Sequence, residues 1–393
     1  MHKLLFSTQF VTRKNKGTKS VCEQGGCGAC TVTVSEVDER GKIRYKSVLS
    51  CLTPLSAVDG KSITTVEGLG DPQHGLHPVQ ERLAKLNGAQ CGFCTSGMVN
   101  NIYSLIKSKE GKPTLKDITE GCDGNLCRCT GYRSIVQTAS TFAVDCKDCP
   151  NLDMEDICKT PYESKYDPKE PEGLIHVKAV PKRFVSSENG VVWYQPLDLS
   201  QLVQIKKENA GKKVRLLTGN TSTGIYGADT QTEVYIYTGK VKELRESQLT
   251  TSGVTFGSAV TIMEVIEAIE KNKSHSVHSF PTLAAHIKRI ASRHIRGNAS
   301  WVGNLFMARD KHFASDLATL MLGVGAKLSI LNESGAKEER DMDTFLSSKD
   351  DIVVSFPLNS FLSKNVKDFF SRFFPSPFHF AEKESTLSLT VQQ

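Results

Sequence analysis

The first part of the chain alternates apolar and polar residues in the way that β-strands do. Residues 30–34 alternate and are rich in β-branched side chains, and residues 63–66 form a second short run of the same kind. Such alternation is typical of strands with one buried face. The pattern therefore predicts a small β-rich domain over residues 1–69.

The next zone instead repeats apolar residues every three to four positions, which is typical of helices with one buried face. Pro113 and Thr114 precede one such repeat and indicate a helix start. The pattern predicts a small helical bundle over residues 70–146. Its apolar stripes are Val79, Leu83 and Leu86; Met98, Val99, Ile102, Leu105 and Ile106; and Ile135, Val136, Ala139, Phe142 and Ala143.

Residues 147–178 break this periodicity with four prolines among charged residues, so we predict a linker there. From residue 179 to 360, strand patterns such as 214–217 and 233–236 mix with helix patterns such as 262–270 and 286–294. This mixture predicts a third, α+β domain, followed by a divergent tail over residues 361–393. The whole chain is predicted to be an α+β multidomain protein.

Charge and hydropathy exclude some classes of partner. The 393 residues include 49 basic and 43 acidic side chains, a net charge of +6 that is small for this length and gives little support to nucleic-acid binding. The N-terminus does not read as a signal peptide, and no apolar run approaches the roughly 18 residues of a membrane span. We expect a cytoplasmic protein with neither a nucleic acid nor a membrane as partner.

The cysteines change this picture. All twelve lie between Cys22 and Cys158, and the rest of the chain has none. Disulfide frameworks are expected mainly in small secreted chains. In a long chain without a signal peptide, clustered cysteines indicate bound metal.

A first set of four has the spacing Cys-x4-Cys-x2-Cys followed by a distant fourth cysteine, which is typical of plant-type 2Fe-2S clusters. Gly25, Gly26 and Gly28 lie within it and allow a tight loop whose N–H groups point at sulfur. The alternatives are a structural zinc site or unrelated buried cysteines, but zinc sites usually present Cys-x2-Cys pairs. The predicted ligands are Cys22, Cys27, Cys30 and Cys51.

A second set joins a Cys-x2-Cys pair to a Cys-x-Cys pair, each near a predicted helix start, where thiolates are stabilised. On spacing alone zinc remains an alternative here, although Cys-x-Cys favours a cluster. Cys146, Cys149 and Cys158 have no fourth partner, so a third metal site is not predicted, and Cys122 is also left over. The second set of predicted ligands is Cys91, Cys94, Cys127 and Cys129.

Five motifs around these cysteines resemble the molybdenum hydroxylases, the family of xanthine dehydrogenase and aldehyde oxidase. They are CEQGGCGAC at 22–30, VEGLG at 66–70, LHPVQER at 76–82, QCGFCT at 90–95 and GNLCRCTGYR at 124–133. The resemblance implies a β-grasp ferredoxin-like domain, here N-terminally abbreviated, and a helical 2Fe-2S domain nearer the molybdenum. It also implies that Gln90 and Cys129 touch the molybdopterin cofactor.

The third zone resembles the family's FAD-binding domain of the PCMH type, here incomplete. A strand leads into a turn of glycine and small hydroxyl side chains, where backbone N–H groups could approach a pyrophosphate. The turn alone could also be an ordinary tight loop, but ASWVGN at 299–304 and SDL at 315–317 match the family's flavin-contact segments in the same order. This chain differs from the family at Val302, where the family usually has glycine, and at Ile290, where the family often has an aromatic residue. The implied flavin contacts are Leu217, Thr218, Gly219, Asn220, Thr221, Ser222 and Thr223, then Ser300 and Asn304 on the phosphate side and Asp316 on the ribose side.

The resemblance implies electron transfer from a molybdenum centre through two 2Fe-2S clusters to FAD, with NAD or oxygen as final acceptor. Sequence typical of the molybdenum domains is not found, so molybdopterin would come with a partner polypeptide or segment. We therefore predict no catalytic residues and no substrate hydroxylation by this chain alone. Homodimer formation stays open. The alternative function is a truncated or zinc-bound, non-catalytic binding protein derived from the same family.

Overall fold

The structure is a computed structural model that describes residues 16–38, 40–146, 162–168, 180–185, 190–227, 229–250, 253–271, 280–331, 336–348 and 352–359. The predicted opening of the first domain before residue 16, most of the predicted linker and the tail over 361–393 lie outside these residues. In the described part, no helix combines the length and apolar character needed to cross a membrane.

The first region is a three-stranded antiparallel sheet in the order β2-β1-β3. Its strands are β1 (Thr31–Val37), β2 (Ile43–Leu49) and β3 (Ser62–Thr64). The strand predicted at 30–34 is confirmed. The one predicted at 63–66 is wrong at its end, because the chain turns into a 3-10 helix at Val66–Gly68.

The second region is helical, as predicted. Nearly all of the three predicted apolar stripes lie in its buried core. Thr114 begins the third helix as predicted, because its hydroxyl accepts the N–H of Asp117 at 3.1 Å. The helices are α1 (Pro78–Lys85), α2 (Thr95–Ser108), α3 (Leu115–Gly121) and α4 (Arg133–Ser140).

Residues 162–168, predicted as linker, pack against this helical region. The Tyr162 ring lies 6.0 Å from the Phe142 ring, edge to face. Asp167 receives hydrogen bonds from Lys107 at 2.7 Å and from His77 at 3.3 Å, and it also bonds the Tyr162 hydroxyl. This short segment is therefore an ordered part of the helical region.

The third region contains a mixed four-stranded sheet in the order β4-β5-β7-β6, in which β7 pairs in parallel with both β5 and β6. The predicted strand at 214–217 is confirmed, and the one at 233–236 is shifted by one residue. The elements are β4 (Lys182–Val185), β5 (Val192–Gln195), α5 (Leu199–Glu208), β6 (Val214–Leu217), α6 (Thr223–Tyr226) and β7 (Val234–Tyr237).

A second, antiparallel sheet of five strands in the order β11-β10-β12-β9-β8 packs with the remaining helices around a large apolar core. The first five of these elements are α7 (Lys242–Arg245), β8 (Ser247–Thr250), β9 (Gly253–Gly257), α8 (Ile262–Lys271) and α9 (Phe280–Ile287). The others are α10 (Arg293–Arg296), α11 (Trp301–Lys311), α12 (Asp316–Gly323), β10 (Lys327–Leu331), β11 (Lys337–Asp341), α13 (Met342–Ser347) and β12 (Ile352–Asn359).

The helix predicted over 286–294 is wrong. Helix α9 ends at Ile287, and Ala291 then takes a left-handed backbone conformation with φ +50°. A non-glycine residue with positive φ interrupts a right-handed helix. Ser292 caps the new helix α10 by accepting the N–H of Ile295. The helix predicted over 262–270 is confirmed as α8.

Candidate iron–sulfur and flavin sites

The first cysteine set is formed by the loop before β1 together with Cys51, which follows β2. Cys30 and Cys51 are buried, at 3% and 4% exposure, while Cys22 and Cys27 are half-buried. The thiols meet in two pairs, Cys22 with Cys27 and Cys30 with Cys51. Cys22 also acts electrostatically on Cys51, so the two pairs lie next to each other.

Backbone N–H groups point at these sulfurs, as the glycine-rich spacing predicts. The N–H of Gln24 donates to Cys22 Sγ at 3.4 Å, and the backbone of Gly25 bonds the Cys51 thiol. Gly25 and Gly28 have φ of 75° and 71°, a left-handed conformation that glycine adopts without strain. Such hydrogen bonds stabilise anionic sulfur and tune the potential of a bound cluster.

The second set lies at the start of α2 and in the loop before α4. Cys94 immediately precedes α2, and its thiol pairs with that of Cys127. Cys91 pairs with Cys129, and these two side chains are exposed. The Cys127 Sγ also contacts the Thr130 hydroxyl at 3.1 Å. Cys91 also acts electrostatically on Cys94, so these two pairs lie next to each other as well.

The pairing distinguishes between metals. A 2Fe-2S cluster needs four thiolates shared between two irons, whereas a structural zinc ion needs four ligands converging on one point. Each cysteine site presents its thiols as two pairs, which is the arrangement that two irons need.

In each pair, one thiol has a lowered pKa and the other a raised pKa. The lowered ones are Cys22, Cys30, Cys91 and Cys127, and the raised ones are Cys27, Cys51, Cys94 and Cys129. Burial, together with Cys127, raises the pKa of Cys94 to about 12. The Cys51 thiol donates a hydrogen bond to the Cys30 sulfur, and this bond together with burial raises the pKa of Cys51. Thiols ligate metal only when deprotonated, so metal binding here would release protons.

The two cysteine sites are tied directly to each other. The N–H of Leu126, just before Cys127, donates to the carbonyl of Cys27 at 2.8 Å. The Asn125 side chain donates to the carbonyl of Gly28 at 2.9 Å. Helix α2 approaches so closely that a Cβ on Gly97 would lie 2.3 Å from that same carbonyl.

A cavity of about 1070 Å³ opens in the third region, large enough for a dinucleotide-sized ligand. Thr223 is not among the lining residues, but its hydroxyl donates to the side chain of Asn220, which lines the cavity, at 2.7 Å. Gln90 is elsewhere, exposed beside Cys91. The predicted flavin residues that line the cavity are Leu217, Thr218, Gly219, Asn220, Thr221, Ser222, Ser300, Asn304 and Asp316.

The turn after β6 lies against the start of α11. A Cβ on Gly219 would stand 1.8 Å from the carbonyl oxygen of Asn298, so only glycine allows this approach. Ser300 caps α11 by accepting the N–H of Gly303 at 3.2 Å. The first N–H groups of a helix have no partner within it and attract anions such as a pyrophosphate.

The structure accommodates the two residues at which this chain differs from the family pattern, Val302 and Ile290. Val302 lies in the first turn of α11 with helical backbone, so it does not need the positive φ that would disfavour a β-branched residue there. Ile290 lines the cavity, where it supplies an aliphatic surface. Both residues therefore fit the cavity wall.

The start of α12 forms another part of the cavity wall. Ser315 caps α12 by accepting the N–H of Ala318 at 2.9 Å, and its hydroxyl bonds Asn304. Asp316 follows as the first residue of α12 and faces the cavity. This arrangement places a carboxylate beside the two helix starts.

Basic side chains also line the cavity, and the motifs did not identify them. The Arg215 guanidinium donates to the Ser222 hydroxyl at 2.9 Å and to that of Thr223 at 3.3 Å. Only its place in the strand before the turn could have indicated it. The further basic lining residues are Lys206, Lys213, Arg289, Arg309 and Lys311.

The cavity reaches the first cysteine loop. Gln24 and Gly25 line it, and a Cβ on Gly224 would lie 2.3 Å from the carbonyl of Gln24. The Asn220 side chain donates to the carbonyl of Leu52, next to Cys51, at 3.1 Å. The three sites therefore follow one another: second cysteine set, first cysteine set, cavity.

Three family models match the chain in this order. A 2Fe-2S iron-sulfur cluster binding domain matches residues 9–56, a [2Fe-2S] binding domain matches 65–140, and an FAD binding domain in molybdopterin dehydrogenase matches 185–356. These domains and sites define an iron–sulfur flavoprotein with two 2Fe-2S clusters and FAD.

Named relatives give the family. Abscisic-aldehyde oxidase of Arabidopsis thaliana is 36% identical over 349 residues, which cover 83% of this chain and 25% of the relative. Xanthine dehydrogenase of Drosophila pseudoobscura pseudoobscura is 33% identical over 355 residues, covering 82% and 26%. A solved structure, quinoline 2-oxidoreductase from Pseudomonas putida 86, is 34% identical and covers 35% of this chain and 78% of its own, with a TM-score of 0.30.

The chain belongs to the molybdenum hydroxylase family, of which it has the iron–sulfur and FAD-binding part. It spans about a quarter of the length of these curated relatives.

Proposed function

We propose that this chain is the electron-transfer portion of a molybdenum hydroxylase like xanthine dehydrogenase or aldehyde oxidase, carrying electrons from a molybdenum centre through two clusters to FAD. The main support is that the three sites contact one another in sequence: the second cysteine set touches the first, and the first touches the flavin cavity. Leu126 bonds Cys27 between the two cysteine sets, and Gly25 of the first set lines the flavin cavity. When bound, the clusters pass single electrons, and the flavin accepts them one at a time and releases two.

The residues assigned to each group follow the sites above. One cluster is held by Cys22, Cys27, Cys30 and Cys51, and the other by Cys91, Cys94, Cys127 and Cys129. The turn 217–223 and the start of α11 take the flavin's pyrophosphate. Asp316 takes its ribose side, and Gln90 lies on the molybdopterin side. The corresponding domains are 1–69, 70–146 and 179–360, with a linker at 147–178 and a tail at 361–393.

The partner in this proposal is a polypeptide or segment that carries the molybdenum domains. Its docking face would be the exposed side of the second cysteine set, where Cys91 and Cys129 reach the surface. Three large apolar side chains in the same two segments are also exposed, Phe93 by 50%, Leu126 by 57% and Tyr132 by 38%. Covering this face would exclude water from the second cluster.

The proposal also covers the substrate reaction, the electron acceptor and the compartment. Substrate hydroxylation would require the molybdenum domains, so this chain alone should not hydroxylate purines or aldehydes. NAD or oxygen would take electrons from the flavin. Eight cysteines kept as metal ligands are consistent with a reducing compartment, and we place the protein in the cytoplasm on that basis.

Stepwise anaerobic reduction of the reconstituted chain tests the proposal. With dithionite as donor, electron paramagnetic resonance should show two distinct reduced clusters, and the flavin absorbance should bleach in the same titration. Adding oxidised FAD-loaded chain to a cluster-reduced, flavin-free sample provides the bimolecular control, which should be much slower. Clusters that stay reduced beside an oxidised bound flavin would contradict the proposal.

A further inference from the structure

The turn before Cys127 and Cys129 is linked to the wall of the flavin cavity through the carboxylate of Asp123. Both oxygens of Asp123 accept the backbone N–H of Arg293, at 3.0 and 3.1 Å. The same carboxylate accepts Nη2 of Arg296 at 3.1 Å. Asp123 belongs to the helical region and both arginines to the third region, so these bonds cross between them.

Arg296 carries the contact onward to the cavity wall. Its side chain is only 6% exposed, and its Nη1 donates to the carbonyls of Ile290 at 3.0 Å and Ala291 at 2.6 Å. Both of these residues line the flavin cavity. A single planar guanidinium therefore joins Asp123 to two consecutive peptide groups of the wall.

The wall at this point has a conformation that needs support. Ala291 has φ +50°, which a non-glycine residue adopts only when its surroundings hold it. The Arg296 bond to the Ala291 carbonyl supplies such a hold, and the cap at Ser292 begins α10 immediately afterwards. Strained backbone of this kind is concentrated at ligand-binding walls.

We propose that Asp123 is a positioning residue for the flavin, acting through Arg296 on the Ile290–Ala291 wall. A buried guanidinium needs its ionic partner to keep one orientation. Without the Asp123 carboxylate, Arg296 loses that partner, and the wall relaxes from the shape that fits the flavin. The inference rests on the proposed function, because it takes FAD as the cavity's ligand.

Titration of the flavin-free, cluster-loaded chain with FAD, followed by quenching of flavin fluorescence, tests this role. Asp123→Asn keeps the size of the side chain and removes its charge. We expect FAD to bind about tenfold more weakly, within the usual range for coupling between sites. Iron content and the cluster spectra should stay as in the wild type.

Glu120→Gln provides the matched control. Glu120 also bridges the two regions, through an ion pair of 3.1 Å with Lys288, but it does not touch the wall at 290–291. Its FAD affinity should stay within about twofold of the wild type, because exposed ion pairs contribute little.

Rescue separates positioning from general structural support. Ala291→Gly removes the cost of the left-handed conformation, so the double variant Asp123→Asn/Ala291→Gly should recover much of the lost affinity. Unchanged FAD binding in Asp123→Asn would overturn the inference, as would failure of the rescue or a parallel loss of iron. A wild-type chain that binds no FAD would instead overturn the proposed function.

Discussion

The backbone N–H of Leu126 donates to the carbonyl of Cys27 at 2.8 Å, which links the segment of the second cysteine set to the loop of the first. Because backbone atoms make this bond, it does not depend on the Leu126 side chain, which is 57% exposed. Two cysteine sites can thus lie next to each other while each keeps its own four ligands.

Replacing Cys30 by serine should remove one cluster and leave the other. Cys30 is buried and pairs with Cys51 within the first set, and no thiol of the second set takes part. Iron analysis should fall from about four to about two irons per chain. The paramagnetic resonance signal of one cluster should remain.

Cys122→Ser is the control for that experiment. Burial raises the pKa of the Cys122 thiol to about 11, and this cysteine belongs to neither set. Its iron content should match that of the wild type. Loss of both clusters in Cys30→Ser, or loss of iron in Cys122→Ser, would contradict the assignment of ligands.

Replacing Gly219 by alanine should abolish FAD binding. The new Cβ would overlap the carbonyl of Asn298, at 1.8 Å, and force the turn away from the start of α11. Overpacking of this kind costs about 3 kcal/mol. FAD titration and thermal unfolding would measure both effects.

Gly297→Ala is the matched substitution, because its Cβ would meet its nearest atom, the Arg293 carbonyl oxygen, at 3.3 Å and its φ is −72°. It should bind FAD nearly as well as the wild type. Equal affinities of the two alanine variants would show that the turn at Gly219 does not shape the flavin site.

Asp167→Asn should destabilise the helical region. Burial opposes ionisation of Asp167, but hydrogen bonds from His77, Lys107 and Tyr162 hold the pKa of this carboxyl below its usual value. Removing the charge leaves Lys107 without its ionic partner, which should cost about 2–3 kcal/mol of unfolding free energy. Urea unfolding at pH 7 would measure it, with Glu163→Gln, which breaks an exposed ion pair, as the control.

The pH dependence of this difference has a definite sign. A carboxyl with a lowered folded pKa contributes stability above its unfolded pKa of about 3.9 and loses it as the pH falls through the folded pKa. The gap between wild type and Asp167→Asn should therefore stay constant from about pH 8 to pH 5. A gap that shrinks within that range would contradict the role given to Asp167.

Gly224→Ala should slow electron transfer between the first cluster and the flavin. Its Cβ would meet the carbonyl of Gln24 at 2.3 Å, so the cysteine loop and the flavin region must move apart. Iron and FAD contents should not change. Stopped-flow absorbance after cluster reduction should show slower flavin bleaching, and an unchanged rate would mean that this contact does not set the distance.

The spacing of residues predicted the sites better than it predicted their surroundings. Cysteine spacing and the glycine-rich turn are local signals. The structure brings the cysteines of each set together in pairs and places residues 217–222 on the cavity wall. The break at Ala291 was missed because the apolar residues Ile287 and Ile290 continue a helical pattern, while the hydrogen bonds that favour the break come from Arg296.

The packing of residues 162–168 on the helical region was missed for a similar reason. Asp167 meets His77 and Lys107, which lie 90 and 60 positions earlier in the chain. A proline-rich segment carries no periodic signal of such distant partners. The basic lining of the cavity, including Arg215, likewise depends on tertiary placement.

Quantification of iron, acid-labile sulfide and flavin in the anaerobically reconstituted chain tests the central claim most directly. Two 2Fe-2S clusters and one flavin predict about four irons, about four sulfides and about one FAD per chain, with visible absorbance from both groups. A chain that instead binds zinc, without sulfide or visible absorbance, would contradict the account.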